Sequence, residues 1–363
     1  MDRTLLSNIW HIADDFIRPN AAAADLGEID GQVKTNIRLL ASRGYLGLGI
    51  PREFCGFGAD EVTQHEYTEI VASSCGVTAF TQQQLRNGVR YIVENGSEAQ
   101  KQELLPELAA GRRLCGIALS QLRRSGEPII VARPVAGGYL VNGSIPWISG
   151  WSLLDAFVAG IPIENSSEHI LAYVDIHTAG DKLRASDPMQ LVAMRASGTV
   201  SVEAVDLFVP AEYVLAVRPS EAIQKSDDRE ITMHTALPLG CARGAERLLR
   251  ETAKHRLSEQ IDQVAASLMF EVTHCRREAL TWNCECVAHP DYKTHALRAR
   301  AGAIVLAMRA AHAAVAVGGG ASQLVTAAPQ RLLREAQFYT TAVLTADVQA
   351  NVLDQLFSPF YGM

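Results

Sequence analysis

The chain has 363 residues, of which 48% are hydrophobic and 20% are charged, and its formal net charge is −7. This length allows two or three domains with a large buried core, and the composition is that of an ordinary soluble globular protein. A net negative charge argues against a nucleic-acid-binding protein, which normally carries a basic patch or stripe. The seven cysteines, an odd number scattered along the chain, do not form the pattern of a disulfide framework.

Two segments bear on the location of the protein. The start of the chain, MDRTLLSNIW, has no basic region followed by an apolar one, so no signal peptide is expected. The most apolar stretch, residues 301–320, contains Arg309 and His312 and ends in three glycines. Because charged groups are costly inside a bilayer, this stretch predicts a buried bundle helix and no membrane span. We therefore expect a cytoplasmic protein without a membrane partner.

The first part of the chain, up to about residue 113, has the periodicity of helices. Apolar residues from Leu5 to Ile17 lie on one helical face, and Pro19 is expected to end that helix. Further helices are predicted around residues 37–41, 62–74, 82–94 and 97–111. The last of them begins with a capping box formed by Ser97 and Gln100.

The pattern changes near Leu114, where short runs with β-branched residues begin to alternate with turn signals. This predicts a β-barrel or sandwich that extends to about Arg218. The predicted strands are residues 115–120, 129–133, 138–141, 145–149, 156–160, 169–175 and 200–209. Asn142-Gly143 is a tight-hairpin signal between two of these strands.

From about residue 230 the helical period returns in four long segments. These segments are residues 231–256, 263–288, 294–316 and 330–356. Four long helices with short links predict an antiparallel bundle. The expected domains are therefore residues 1–113, 114–218 and 219–363.

Several stretches resemble one known family. They are residues 43–48, 50–58, 96–101, 105–109, 137–149, 194–197, 205–210 and 331–336. A helical domain, a β domain and a four-helix bundle follow one another in the acyl-CoA dehydrogenase fold, and the chain resembles that flavoprotein family over nearly its whole length. The resemblance implies an α+β, acyl-CoA dehydrogenase-like fold.

The resemblance also implies an FAD cofactor, with the flavin ring between the β domain and the bundle. Backbone groups of Ala118 and Leu119 and the hydroxyl of Ser120 would then contact the edge of the ring. Trp147 would pack on the flavin, which needs a large flat partner. Taken without its neighbours, Trp147 would rather be interpreted as a core tryptophan in a strand.

Other positions complete the implied flavin site. Ile148 and Ser149 would reach the N5 side of the ring, where a hydroxyl supplies a hydrogen-bond donor. Gly319 and Gly320 would let the backbone approach the flavin nucleotide of a partner subunit, or they cap a helix. Thr345 matches the threonine of the motif that lies near the end of the family's sequence.

The reaction that the resemblance implies is α,β-dehydrogenation of an acyl thioester, in which a carboxylate removes the α-proton while a hydride passes to flavin N5. The position of the family's common glutamate falls on Val343, which cannot accept a proton. Some members carry the base at the start of the first bundle helix, and the spacing to Pro238 puts Glu230 at that place. The alternative is that Glu230 is a surface acid in the first turn of a helix, where the macrodipole favours it.

Further departures concern nucleotide and substrate binding. Ser120-Gln121-Leu122 replaces a loop that normally helps to hold flavin and acyl-CoA. Arg123 and Arg124 either meet the CoA phosphates or are simply exposed. The segment after Arg256 lacks the family's phenylalanine and glycine and is short. Asp347 stands where glutamine is frequent, and an acid near a pyrophosphate is expected to weaken flavin binding.

Two polar groups have open interpretations. Gln82-Gln83-Gln84 either lines the substrate cavity or forms a solvated face. Cys284, Cys286 and His289 have poor spacing for zinc and no fourth ligand in view, so no metal is expected.

Three functions follow from these observations. The first is an acyl-CoA dehydrogenase-like enzyme acting on a CoA or acyl-carrier thioester, with an electron-transfer partner and a homodimeric or homotetrameric assembly. The second is a flavin-dependent monooxygenase of the same fold, served by a flavin reductase. The third is an inactive subunit that pairs with an active paralogue.

Overall fold

A computed structural model describes residues 2–357 of the chain. The helices are α1 (Arg3–Ile12), α2 (Ala21–Leu26), α3 (Lys34–Ser42), α4 (Glu61–Ser74), α5 (Gly76–Asn95), α6 (Glu98–Ala109), α7 (Ile176–Ala179), α8 (Ala222–Arg229), α9 (Ala236–Arg256), α10 (Glu259–Thr281), α11 (Tyr292–Gly318), α12 (Ala328–Tyr339) and α13 (Ala346–Phe357). The strands are β1 (Cys115–Ala118), β2 (Ile130–Val135), β3 (Gly138–Ile148), β4 (Ala156–Pro162), β5 (Glu168–Asp175), β6 (Leu183–Ala185), β7 (Val200–Pro210) and β8 (Val214–Pro219). Helices, then two sheets, then helices form the α+β architecture expected from the sequence.

The N-terminal helices follow the apolar periodicity, with one correction. The capping box of α6 is confirmed: Ser97 Oγ accepts from the Gln100 amide, and Gln100 Oε1 accepts from the Ser97 amide. The prediction that Pro19 ends the helical path is wrong. The chain continues from α1 through a π turn and a 3₁₀ turn into α2, with Pro19 in the first turn of the 3₁₀ segment, where its missing amide N–H costs nothing.

The middle of the chain forms two four-stranded sheets, with strand orders β1-β4-β5-β8 and β2-β3-β7-β6. Of the strand pairs within these described sheets, only β1–β4 is parallel. The predicted hairpin at Asn142-Gly143 is wrong, because both residues lie inside the continuous strand β3. Pairing of β3 with β7 shifts register there, so the glycine, with φ of 127°, belongs to a bulge. The hairpin turn comes earlier, between Val135 and Gly138. The sequence reading missed the short strands β6 and β8.

Three of the four long C-terminal helices were predicted correctly, and the fourth prediction is wrong. The segment expected as one helix over residues 330–356 is divided into α12 and α13 by residues 340–345. The interrupting sequence, TTAVLT, is rich in β-branched residues, which lose side-chain freedom in a helix. Val343 adopts a φ of 50°, which a helix cannot accommodate. The Thr345 hydroxyl then accepts from the Val348 amide at the start of α13.

Helix α11 runs through the centre of the C-terminal region and packs against α9, α10, α12 and α13. With the turn that follows, it forms the one segment of the described residues that is long and apolar enough to cross a membrane, at a mean hydropathy of 1.6. By length and composition alone a core helix of a soluble protein has the same properties. The packing on four other helices agrees with the bundle helix expected from the sequence.

Candidate functional site

A cleft of about 690 Å³ lies between the two sheets and the helices. Its lining comes from α5, the end of β1, the end of β3, the segment 191–199, the end of α8 and the break between α12 and α13. Segments that are far apart in sequence therefore meet at one site. Two of its sides differ in chemistry, a neutral side on the sheets and a charged side on the helices.

The neutral side consists of Ser120, Trp147, Ser149 and Thr199, and is called the hydroxyl wall below. Trp147 is 48% exposed and presents its indole to the cleft, so it is no core tryptophan. The Ser149 hydroxyl bonds to Thr199 Oγ1 at 2.8 Å, and Thr199 Oγ1 bonds in turn to Ser197 Oγ at 2.8 Å. This chain of hydroxyls fixes the end of β3 against the segment that precedes β7.

Ser120 differs from the other hydroxyls of this wall. Its Oγ is buried and has no hydrogen-bond partner among the described residues, although it borders the cleft. A buried polar atom without a partner costs about 1–3 kcal/mol. A ligand that offers a polar edge in the cleft would satisfy this atom.

The remaining residues expected at the flavin ring are distributed as follows. Leu119 lines the cleft, whereas Ala118 and Ile148 are buried behind its surface. The Ala118 carbonyl accepts from Gln121 Nε2 at 2.8 Å, and the same amide donates to the Gly160 carbonyl at 2.7 Å. The altered loop after β1 is thus pinned to β4 by its glutamine.

Three further predicted cofactor residues, besides Ala118 and Ile148, do not line the cleft. Gly319 and Gly320 follow the last turn of α11, and the Gly319 amide donates to carbonyls of that turn, as expected of a helix cap. Thr345 caps α13, next to the cleft residue Leu344. Asp347 pairs with Lys293 Nζ at 2.7 Å, which offsets the negative charge that was expected to repel a pyrophosphate.

The charged side consists of Arg90, Arg123, Asp227 and Glu230, and is called the charged floor below. Arg123 and Asp227 form a bidentate pair, with Nε–Oδ2 at 2.8 Å and Nη2–Oδ1 at 2.6 Å. This pair connects the loop after β1 to α8. Of the two arginines expected either to meet phosphates or to be exposed, Arg123 is therefore engaged within the protein, and Arg124 is exposed.

Glu230 lies on the floor of the cleft, with a side chain that is only 16% exposed. The prediction that it opens the first bundle helix is wrong, because it is the C-terminal cap of α8 and α9 begins at Ala236. The macrodipole therefore does not favour a negative charge there. Glu230 forms an ion pair with Arg90 of α5.

The environment of Glu230 makes its carboxyl a weaker acid. Burial raises the pKa of Glu230 above its ordinary value, the positive charge of Arg90 limits that rise, and the nearby Glu94 adds to it. The neighbouring His234 behaves in the opposite way. Burial and the charge of Arg300 hold the pKa of His234 well below its ordinary value, so its ring is neutral near pH 7.

Val343, at the position of the family's usual glutamate, does line the cleft. A β-branched residue with φ near +50° is strained, so the surrounding contacts must hold it. One such contact is Arg300, which is 3% exposed and donates to the Ala342 carbonyl at 3.0 Å and to the His234 carbonyl. Arg300 thereby joins the segment after Glu230 to the segment that carries Val343.

Several cleft residues were not singled out from the sequence. Asn87, Arg90 and Tyr91 line the cleft on one face of α5, three or four residues apart and in line with Gln84. That periodicity was available as a signal. Of the Gln82-Gln83-Gln84 run, only Gln84 lines the cleft.

The residues of the cleft fit an FAD cofactor, which the structure does not contain. The size of the cleft, the exposed face of Trp147 and the partnerless Ser120 hydroxyl all fit a flat ring with a polar edge. Among residues with described side chains, no group of three or more His, Cys, Asp or Glu is placed to hold a metal ion. The side chain of Cys284, considered above with Cys286, lies outside the described part of the structure.

Comparison with known proteins gives a consistent result. Residues 2–112 match the family model for the acyl-CoA dehydrogenase N-terminal domain. A probable acyl-CoA dehydrogenase of Bacillus subtilis is 24% identical over 93% of this chain and 92% of its own length. A short-chain-specific acyl-CoA dehydrogenase of Clostridium acetobutylicum is 25% identical over 95% of this chain and 94% of its own. These matches support membership in the acyl-CoA dehydrogenase family.

Solved structures show the acyl-CoA dehydrogenase fold as well. Butyryl-CoA dehydrogenase from Megasphaera elsdenii superimposes with a TM-score of 0.82 at 20% identity, covering 99% of this chain and 100% of that one. Dibenzothiophene monooxygenase from a Paenibacillus species superimposes with a TM-score of 0.80 at 16% identity, covering 98% and 97%. At these identities the structural likeness establishes the fold of this chain, and its chemistry has to be argued from the site.

Proposed function

We propose that the chain is an FAD-dependent acyl-CoA dehydrogenase-like enzyme that removes hydrogen across the α,β-bond of an acyl thioester. The observation that carries this proposal is the position of Glu230, a carboxylate only 16% exposed that lines the same cleft as Trp147 and a set of free or linked hydroxyls. A dehydrogenation of this kind needs a shielded base on one side of the substrate and a hydride acceptor on the other.

The residues of this chain would divide the reaction between them. When bound, FAD supplies the acceptor for the hydride from the β-carbon. A Glu230 carboxylate oxygen takes the α-proton, and the electron pair of the broken α C–H bond becomes the second bond between the α- and β-carbons. Arg90 orients that carboxylate, and burial makes it basic enough to compete for the proton.

The decisive experiment is anaerobic mixing of the FAD-loaded protein with acyl-CoA thioesters while flavin absorbance is followed. We expect bleaching in the unmodified protein and a fall in its rate of at least about a hundredfold in Glu230→Gln, since general-base catalysis contributes that much or more. Flavin content should be unchanged in this variant, because glutamine preserves the shape of the floor. Normal bleaching in Glu230→Gln would show that another group is the base.

Two further variants sharpen this experiment. Asp228→Asn is the matched control, because Asp228 is also at the end of α8 but points to Lys293 and does not line the cleft. Its bleaching rate should equal that of the unmodified protein. The double variant Glu230→Gln with Val343→Glu should recover part of the rate that Glu230→Gln alone has lost, since residue 343 borders the same cleft.

A second candidate, a flavin-dependent monooxygenase, is favoured by one observation: the cleft position of the usual base holds Val343. Product formation that requires oxygen and supplied reduced flavin, together with no anaerobic bleaching, would select it. The third alternative, an inactive subunit, predicts no FAD binding by the isolated chain and co-purification with a paralogue.

We further propose a homo-oligomer and an electron-transfer partner that reoxidises the flavin. Exposed apolar side chains on α10, Val264 and Phe270, support the first part of this proposal, because such groups are commonly covered at interfaces. Light scattering of the purified protein tests it, and a monodisperse monomer would reject it. A cytoplasmic location remains a prediction from the sequence.

A further inference from the structure

A second cavity, of about 200 Å³, lies next to the cleft and is called the inner chamber here. Asn87, Arg90, Glu230 and His234 line both spaces. The Arg90–Glu230 ion pair thus stands between them as a partition of two side chains. If the reacting carbon of a ligand lies at Glu230 in the cleft, the inner chamber is the adjacent space on the other side of this ion pair.

The chamber contains Arg86, an arginine whose hydrogen-bond partners are neutral. Its guanidinium donates to Gln64 Oε1 at 2.9 Å and Thr68 Oγ1 at 3.0 Å, and lies 5.4 Å from the centre of the Tyr67 ring. Among the described residues no carboxylate lies within ion-pair distance of it. A guanidinium has five N–H donors, and the partners seen here are all neutral.

The other arginines of the chamber differ from Arg86 in this respect. Arg90 is shared by Glu230 and Glu94, and Arg229 pairs with Glu94 at 3.1 Å. Burial lowers the pKa of Arg86, as expected for a cation without a compensating acid. Arg86 can therefore donate hydrogen bonds to a further oxygen atom without breaking an existing ion pair.

The rest of the chamber suits a chain that leads to such an oxygen. Leu46, Val89 and Val93 supply apolar surface, and Arg86 and Gln64 belong to a polar lining that also includes Glu61 and Glu94. A hydrocarbon end placed against that guanidinium would take it out of water without replacing its hydrogen bonds, which is unfavourable. An oxygen acceptor would replace them.

We propose that the inner chamber binds the far end of the acyl group and that Arg86 recognises an acceptor oxygen there. The substrate class is then a short acyl thioester whose chain ends in a keto, amide or carboxylate oxygen, in preference to a plain hydrocarbon chain. This inference rests on the dehydrogenase function proposed above, because it takes Glu230 as the place of the α-carbon.

The test is calorimetric binding to the FAD-loaded protein, with redox-inert thioethers of CoA that mimic three six-carbon acyl chains: hexanoyl, 5-oxohexanoyl and adipoyl. At least one oxygen-bearing chain should bind about tenfold or more tightly than the hexanoyl mimic. A stronger effect for adipoyl identifies a carboxylate, and one for 5-oxohexanoyl a neutral oxygen. Equal binding of all three mimics would overturn the proposal.

The variant Arg86→Met should remove this preference by weakening the binding of the oxygen-bearing mimics, while the hexanoyl mimic, which offers Arg86 no acceptor, should not bind more weakly. Arg86→Lys, which keeps the charge and loses the planar fork, provides a second variant and should retain part of the preference. A preference that persists in both variants would assign the oxygen to another residue and reject the role of Arg86.

Bleaching of the flavin by the matching thioesters is then measured separately. Tight, Arg86-dependent binding without bleaching would sink the dehydrogenase proposal while supporting the chamber as a binding site. Bleaching by hexanoyl-CoA with no gain from the oxygen-bearing chains would support the enzyme and sink the chamber.

Discussion

The hydroxyl wall and the charged floor of the cleft differ in charge and in the way their side chains are paired. The wall presents neutral groups, one of them the partnerless Ser120 hydroxyl, and neutral hydrogen bonds between hydroxyls fix the end of β3 against the segment that precedes β7. The floor presents charges that are paired across elements distant in sequence, Arg90 with Glu230 and Arg123 with Asp227. A neutral wall suits a flat cofactor, whereas a charged and buried floor suits proton chemistry.

After the loss of Glu230 itself, the largest effect is expected from separating the floor from the segment that carries Val343. Arg300→Met removes the donor that joins the His234 and Ala342 carbonyls, so Glu230 and the loop of Val343 lose their fixed relation. We expect the rate of flavin bleaching by acyl-CoA to fall roughly a hundredfold, the scale of a small misplacement of reacting groups. Stopped-flow absorbance measures this rate.

The control for this variant is Arg309→Met on the same helix, because Arg309 is exposed and pairs with Glu271 on the outside of the bundle. Flavin binding should be retained in both variants, since neither touches the hydroxyl wall. If Arg300→Met bleaches as fast as Arg309→Met, Arg300 has no positioning role.

A smaller effect is expected from pH, and it separates the two sides of the cleft. Burial raises the pKa of Glu230, so the bleaching rate should fall as pH is lowered through a value above the ordinary one for glutamate. The protonated carboxyl cannot take the α-proton. Flavin affinity should stay flat over the same range, because the wall has no titrating group. Since the pKa of His234 lies well below the ordinary value for histidine, His234 should add no inflection to the bleaching rate near that ordinary value.

Arg90→Gln tests whether the pKa of Glu230 controls the pH dependence of the bleaching rate. Loss of the positive charge that limits the rise should move the inflection of the bleaching rate to higher pH. An inflection that moves to lower pH, or stays in place, would mean that Glu230 does not control the profile.

The smallest effect is expected at Ser120, where stability and affinity should change in opposite directions. Ser120→Ala removes a buried hydroxyl without a partner, so the FAD-free protein should become more stable by about 1 kcal/mol. Flavin should bind several-fold more weakly, because its polar edge loses a partner. Thermal unfolding of the FAD-free protein and quenching of FAD fluorescence measure the two quantities.

Ser149→Ala is the contrasting variant, since its hydroxyl bonds to Thr199 within the protein. It should lower the stability of the FAD-free protein. A loss of stability in Ser120→Ala of similar size would show that the Ser120 hydroxyl is satisfied within the protein.

Much of the fold could be predicted from the sequence because periodicity is local. The apolar spacing of the helices, the Ser97 capping box and most strands were read from neighbouring residues. The failures came where longer-range contacts prevail. Pairing of β3 with β7 along its whole length carries the chain through Asn142-Gly143 without a turn. Packing at the cleft stabilises a break at Val343 that no proline or glycine marks.

The site shows the same division. From the sequence, the resemblance to the family's motifs assigned Trp147, Ser120 and Ser149 to one surface and showed that Val343 lacks a titrating group, since motif positions and side-chain types can be read residue by residue. Only the tertiary structure decided that Glu230 ends α8, that Arg90 is its partner, and that no carboxylate of the described residues lies within ion-pair distance of Arg86. The physical reason is that burial and ion pairing depend on which distant segments meet, and the pKa of a carboxyl depends on both.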